Sequence, residues 1–149
     1  MVHFIVTADF MLMQGLLMVG FDHHRIQKVL RNTNVMRFRS FCYGSDPIVY
    51  AKIWNNLHDD TNEAAFINTS TAMLRHFLMG LFFLKCYPNQ THMMAATFCV
   101  CEKTACKWCW YFLSKIQALK HTKVNKHNKI AITFCTILLF TQFFVLSER

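Results

Sequence analysis

Apolar and polar positions alternate along this chain in blocks that favour helices over strands. Apolar residues dominate "DFMLMQGLLMVGF" near the N-terminus, and one reading of that block is a helix. The next block, residues 25–39, carries five positive charges and no acidic residue. In "SFCYGSDPIVYAKIWNNL", Ser45 or Asp46 is suited to cap a helix whose first residue is Pro47. Ile48, Ile53, Trp54 and Leu57 are then expected on one face. "HDDTNEAAFINTS" is the most polar stretch and reads as a loop between helices.

Residues 70–86, "STAMLRHFLMGLFFLKC", predict an apolar helix capped by Ser70 or Thr71. The uncharged run between Arg75 and Lys85 is too short to cross a bilayer, so this helix belongs in a core. Pro88 in "YPNQ" ends it, because proline cannot continue the hydrogen-bond ladder. "QTHMMAATF" predicts a short helix, "CVC" a tight connection and "EKTACKWCWYFLSKIQALK" a longer helix. A basic stretch, "HTKVNKHNK", then leads into the apolar run "IAITFCTILLFTQFFVL" at 130–146. The expected fold is mainly α: a small helical bundle containing a helix-turn-helix, with an apolar C-terminal segment. Three parts are expected: an ill-defined N-terminal segment over 1–35, a helical region over 36–123, and a basic linker with its apolar tail over 124–149.

Composition sharpens this picture. With 149 residues, only four Gly and two Pro, the chain suits one domain of long helices rather than a turn-rich sandwich. Its formal charge of +8 favours polyanionic partners, either nucleic acid or an anionic membrane face. Seven cysteines, an odd number seated mostly in helical or apolar runs, fit a reducing compartment better than a secreted disulfide scaffold. The N-terminus lacks a basic n-region and carries Asp9, so a cleaved signal peptide is not expected. The sequons at Asn68 and Asn89 are of a kind that arises by chance.

Four of the cysteines fall in "CVCEKTACKWCW", residues 99–110. A zinc site needs four ligands converging tetrahedrally. C-x-C-x4-C-x2-C leaves no loop to fold one pair over the other, so no metal and no cofactor is expected. Redox chemistry needs a thiol at a helix N-terminus, and Cys106 falls a full turn inside. A third reading takes Thr91 to Ile116 as a helix-turn-helix. Met94, Phe98, Val100, Ala105 and Trp108 then fall at its apolar positions, with Ala95 at the small one. Cys99 takes the turn position where Gly is commonest, and Cys101 takes the N-cap position. The second helix presents Lys103, Thr104 and Lys107 with Cys106 beside them, and Lys115 and Lys120 further along. That surface suits phosphate contact and groove entry. An ordinary helical hairpin with a solvated basic face is the competing reading of the same spacing.

"RFRSFCYGSDPIVYAKIWNNL" followed by "LRHFLMGLFFLKCYPNQTHMMAATFCVCEKTACKWCWYFLSKIQAL" resembles the N-terminal region of Harbinger-like DDE transposase-derived proteins. Arg37 to Phe41, Trp54, the His76–Pro88 stretch, and Glu102–Lys103–Thr104 followed by Lys107–Trp108 match the family's order over about residues 36–123. The resemblance implies a helical region that precedes a catalytic domain and binds or positions terminal-repeat DNA. Its helix-turn-helix carries over onto residues 91–116, and the exposed face of the second helix offers Lys103, Thr104, Lys107 and Lys115 as the expected DNA-binding residues. The sequence departs from the family where Gly and Asp become Cys99 and Cys101, and where a core Phe and a basic residue become Ala105 and Cys106. An unrelaxed cavity at Ala105 is expected to cost about 2–4 kcal/mol.

A DDE enzyme needs three carboxylates around two metal ions. No acidic residue occurs between Lys103 and Ser147, so no transposase or nuclease activity is expected, and no small-molecule substrate is evident. The expectation is a non-catalytic, truncated, transposase-derived protein that binds DNA and is nuclear. The alternative is a small tail-anchored membrane protein. Residues 130–146 carry no charge, and as a helix they span roughly 25 Å, a little less than a hydrocarbon core.

Overall fold

The computed structural model describes residues 5–59, 66–67, 73–86 and 97–123, and among these every regular element is helical. The first helix, α1 (Ala8–Met18), starts where the Thr7 hydroxyl accepts the Phe10 N–H at 3.2 Å. It buries Met11, Leu12, Gly15 and Leu16. Just ahead of it, Val6 and the Asn55 side-chain amide exchange two hydrogen bonds of 2.9 and 2.8 Å. Residues near the N-terminus are thereby tied to a helix almost fifty positions away.

Asp22 caps α2 (His23–Lys28) by accepting the Arg25 N–H at 2.8 Å. Extended backbone at Val29 separates it from α3 (Arg31–Met36). α3 does not stop at Met36: Arg37 is still helical, and the chain runs on as a π-helix over Arg37–Tyr43. Gly44, at φ 85°, closes it by donating to the Arg39 carbonyl five residues back. The wider turn carries Phe38, Cys42 and Tyr43 into the core and leaves Phe41 exposed. Tyr43 donates its hydroxyl hydrogen to the Gly15 carbonyl at 2.6 Å, and Tyr50 does the same to the Tyr43 carbonyl. These two bonds satisfy buried phenols that would otherwise carry a desolvation cost.

α4 (Pro47–Leu57) begins as the sequence predicts, with Asp46 accepting the Ile48 N–H and Pro47 in the first turn. Ile53, Trp54 and Leu57 are buried with Tyr50 and Ala51, but Ile48 is 49% exposed. Ile48 lies about 140° around the helix from Ile53, so one face cannot hold both. Of the polar stretch after α4, His58 is buried with its Nδ1 2.9 Å from the Trp54 carbonyl oxygen, and Ile67 is buried with its N–H on the Leu57 carbonyl.

α5 (Leu74–Cys86) supplies the centre of the core through Phe77, Leu78, Met79, Leu81, Phe82 and Phe83. α6 (Glu102–Lys123) is the longest helix among the described residues and continues three residues past Lys120. Its buried positions are Ala105, Cys109, Phe112, Ile116 and Leu119, an alternation of four and three that makes one continuous stripe. That stripe lies on α5, and Gly80 marks the closest approach: a Cβ there would stand 3.3 Å from Cys109 Cα. Phe77, Phe112 and Trp54 join α5, α6 and α4 at ring-centroid distances of 5.2–6.3 Å.

The proposed caps Ser70 and Thr71, most of the short helix before Phe98, and the apolar run 130–146 lie outside the described residues. Among the described residues no helix is long and apolar enough to cross a membrane.

Candidate nucleic-acid interface

The connection into α6 is built from strained and capped backbone. Thr97 and Phe98 are helical, and Phe98 is buried with its ring edge-on to Phe82 at 5.2 Å. Cys99 then takes φ 55°, the left-handed conformation that glycine adopts freely and other residues adopt at a cost. Val100 is partly buried against the core. Cys101 opens α6: its carbonyl accepts the Thr104 and Ala105 N–H groups at 3.0 and 3.2 Å. Its thiol sulfur lies 3.2 Å from the Thr104 hydroxyl. That hydroxyl, together with backbone N–H groups of the first turn, draws the Cys101 thiol below its ordinary pKa. Cys99 and Cys101 therefore occupy the geometries that the helix-turn-helix pattern reserves for a turn glycine and an N-cap.

The turn is also held from α5. Arg75 donates from Nη2 to the Phe98 carbonyl at 3.1 Å, a contact across 23 positions. This bond occupies the last carbonyl before the chain turns, where the preceding helix has no partner of its own to offer.

Beyond the turn, α6 buries one face and exposes the other, with Trp110 left 48% exposed. Ala105 is fully buried and Trp108 is partly buried against the core, as the spacing predicts. Lys103 and Lys107 are exposed, one turn apart. Thr104 is only partly exposed, and its hydroxyl is engaged with Cys101, so it acts in the cap rather than as an open donor. Lys115 is also partly exposed, with Nζ 6.0 Å from the Tyr111 ring centroid. Lys107 Nζ likewise stands 5.6 Å from the centre of the Trp108 ring. Rings under the two ammonium groups limit their wandering. Tyr111 meets Trp108 edge-on at 5.7 Å, so the rings form a ledge beneath the lysines.

One member of that ledge comes from α5. His76 lies parallel to Trp108, at 4.0 Å between centroids and 5° between planes. Its Nδ1 accepts the Met73 N–H at 3.2 Å, the reach-back that Glu performs in a capping box. Partial burial, and next the neighbouring Arg75 charge, hold His76 below the ordinary histidine pKa. Sequence reading placed the interface on α6 alone and passed over Arg75 and His76. The local signal for them is a polar pair at the start of an otherwise apolar helix.

The four cysteines of the cluster diverge. Cys99 and Cys101 are exposed, Cys106 is partly exposed, and Cys109 is buried against α5 with its thiol pushed up to about 12 by desolvation. Among the described residues no three His, Cys, Asp or Glu side chains are grouped so that they could hold a metal ion. Three carboxylates have local duties: Asp9 pairs with Arg31, Asp22 with Arg25, and Asp46 caps α4. Both ion pairs lie towards the N-terminus, away in sequence from the lysines of α6. The chain matches no family model, no curated protein and no solved structure.

Proposed function

We propose that this chain is a non-catalytic helical DNA-binding protein, derived from the N-terminal region of a Harbinger-like transposase, that sets the outer face of α6 against duplex DNA. The observation that carries this reading is the turn before α6. Cys99 adopts the left-handed conformation and Cys101 begins the helix, at the two positions where the helix-turn-helix pattern calls for them. With Phe98 and Ala105 buried, the same register leaves Lys103 and Lys107 on the outside. Phosphate contact is the chemistry that these ammonium groups offer, and no carboxylate of α6 beyond Glu102 competes for them.

Anisotropy of a labelled duplex tests this. Binding is expected to weaken with salt, with a log–log slope near −4 if about four or five phosphates are engaged. Replacing Lys103 and Lys107 together by Glu is expected to abolish binding while the far-ultraviolet spectrum stays helical. Unchanged binding by the double variant would sink the assignment of α6 as the DNA-contacting helix.

A further inference from the structure

The ring of His76 is fixed in three ways that together determine what it can do. Parallel stacking on Trp108 sets its plane, and the hydrogen bond from Met73 N–H to Nδ1 sets its rotation within that plane. Accepting at Nδ1 also fixes the tautomer, because a neutral imidazole that accepts at one nitrogen carries its proton on the other. The proton therefore sits on Nε2. Three features favour this neutral form: partial burial, the adjacent Arg75 guanidinium, and a place in the first turn of α5 where the helix dipole opposes a cation. Lys107 on α6 approaches the same indole, and the π-helical segment that also packs on α5 contributes Arg37 and Arg39 and no carboxylate.

We propose that His76 is a phosphate-contact residue acting as a neutral donor through Nε2–H, so that the DNA-binding face spans the seam between α5 and α6. This rests on the reading of α6 as the DNA-contacting helix and extends it to a second element. The occupant is a phosphodiester oxygen: an acceptor that takes one hydrogen bond from Nε2–H and is attracted by Arg75, whose charge acts on His76, and by Lys107, which lies over the same indole. Neutral donors to phosphate position a duplex without releasing counterions, whereas lysines release them. His76 and Lys107 should therefore leave different marks on the salt dependence.

The test uses the full chain and a labelled duplex of about 20 base pairs over roughly 50 to 200 mM salt at neutral pH. His76→Phe keeps a ring to stack on Trp108 but has no donor, and His76→Gln supplies an amide N–H at a similar reach. His76→Phe is expected to weaken binding about three- to tenfold or more with an unchanged salt slope, as loss of one hydrogen bond from an uncharged donor does. His76→Gln should recover most of that loss, and Lys107→Glu should make the slope shallower by at least about one. Phe binding as tightly as His, or a shallower slope in His76→Phe, overturns the neutral-donor assignment while leaving α6 in place. Absence of wild-type binding overturns both readings. Should His76→Phe fail to fold, nitrogen-15 spectra of the wild-type ring decide. Addition of duplex is expected to shift Nε2–H and leave Nδ1 as the unprotonated nitrogen, and an Nε2 signal that ignores the duplex overturns the proposal.

Discussion

At Cys99 a single dihedral angle links sequence to function. An L-residue with φ 55° sets its Cβ against neighbouring backbone, which costs about 1–2 kcal/mol. Cys99→Gly removes that strain but gives the unfolded chain more freedom, worth about 0.4–1 kcal/mol in the other direction. The net expectation is a gain on the order of 0.5–1 kcal/mol, read from the urea midpoint at constant slope. A variant no more stable than the parent would mean that the turn carries no strain. The sequence made this position legible, because a cysteine stands where the turn pattern wants glycine. It did not make His76 legible. That side chain draws its stack from Trp108, and no local pattern joins two positions so far apart in the chain.

At the scale of elements, the helices that were readable are those with local signals. Asp46–Pro47 announces α4, and the alternation through Ala105, Cys109 and Phe112 announces the buried stripe of α6. The π-helix over Arg37–Tyr43 was not readable, since its widened turn is fixed by where Phe38 and Tyr43 find space. They find it at Gly15. A Cβ there would stand 2.3 Å from one carbon of the Phe38 ring, and that ring is fully buried between Tyr43 and Tyr50. Gly15→Ala therefore forces either the ring or α1 to move, at about 1–3 kcal/mol or more, which exceeds the helix-propensity gain of about 1 kcal/mol. Gly80→Ala meets Cys109 Cα at 3.3 Å and needs a shift of only tenths of an ångström between α5 and α6. Urea midpoints should place Gly15→Ala below both the parent and Gly80→Ala. The reverse order of the two variants would contradict the packing at Gly15.

For the whole molecule, the net charge of +8 is spread over several helices. Arg25 and Arg31 are paired with Asp22 and Asp9, Arg37 and Lys107 lie over the Phe21 and Trp108 rings, and Lys28, Arg39, Lys52, Lys85 and Lys103 are exposed. A charge total could suggest a polyanionic partner but could not say which helix meets it. The same excess of cations bears on acid stability through His76. Its pKa in the fold lies below the ordinary value of 6.5, from partial burial first and Arg75 second. As pH falls through 6.5 the unfolded chain takes up a proton at this position while the folded chain does not, so the unfolded state holds more protons. Stability is thus complete above that value and declines as the pH drops towards the lowered folded value. Protonation of Nδ1 would also remove the acceptor for Met73 N–H and add a cation beside Arg75. Thermal midpoints are therefore expected to fall on acidification below about pH 6.5 in the parent and to fall less steeply in His76→Gln, which cannot titrate. The other histidines contribute equally to both curves, so the difference between them isolates His76. Parallel curves for parent and variant would show that the α5 cap and its stack on Trp108 are indifferent to the proton.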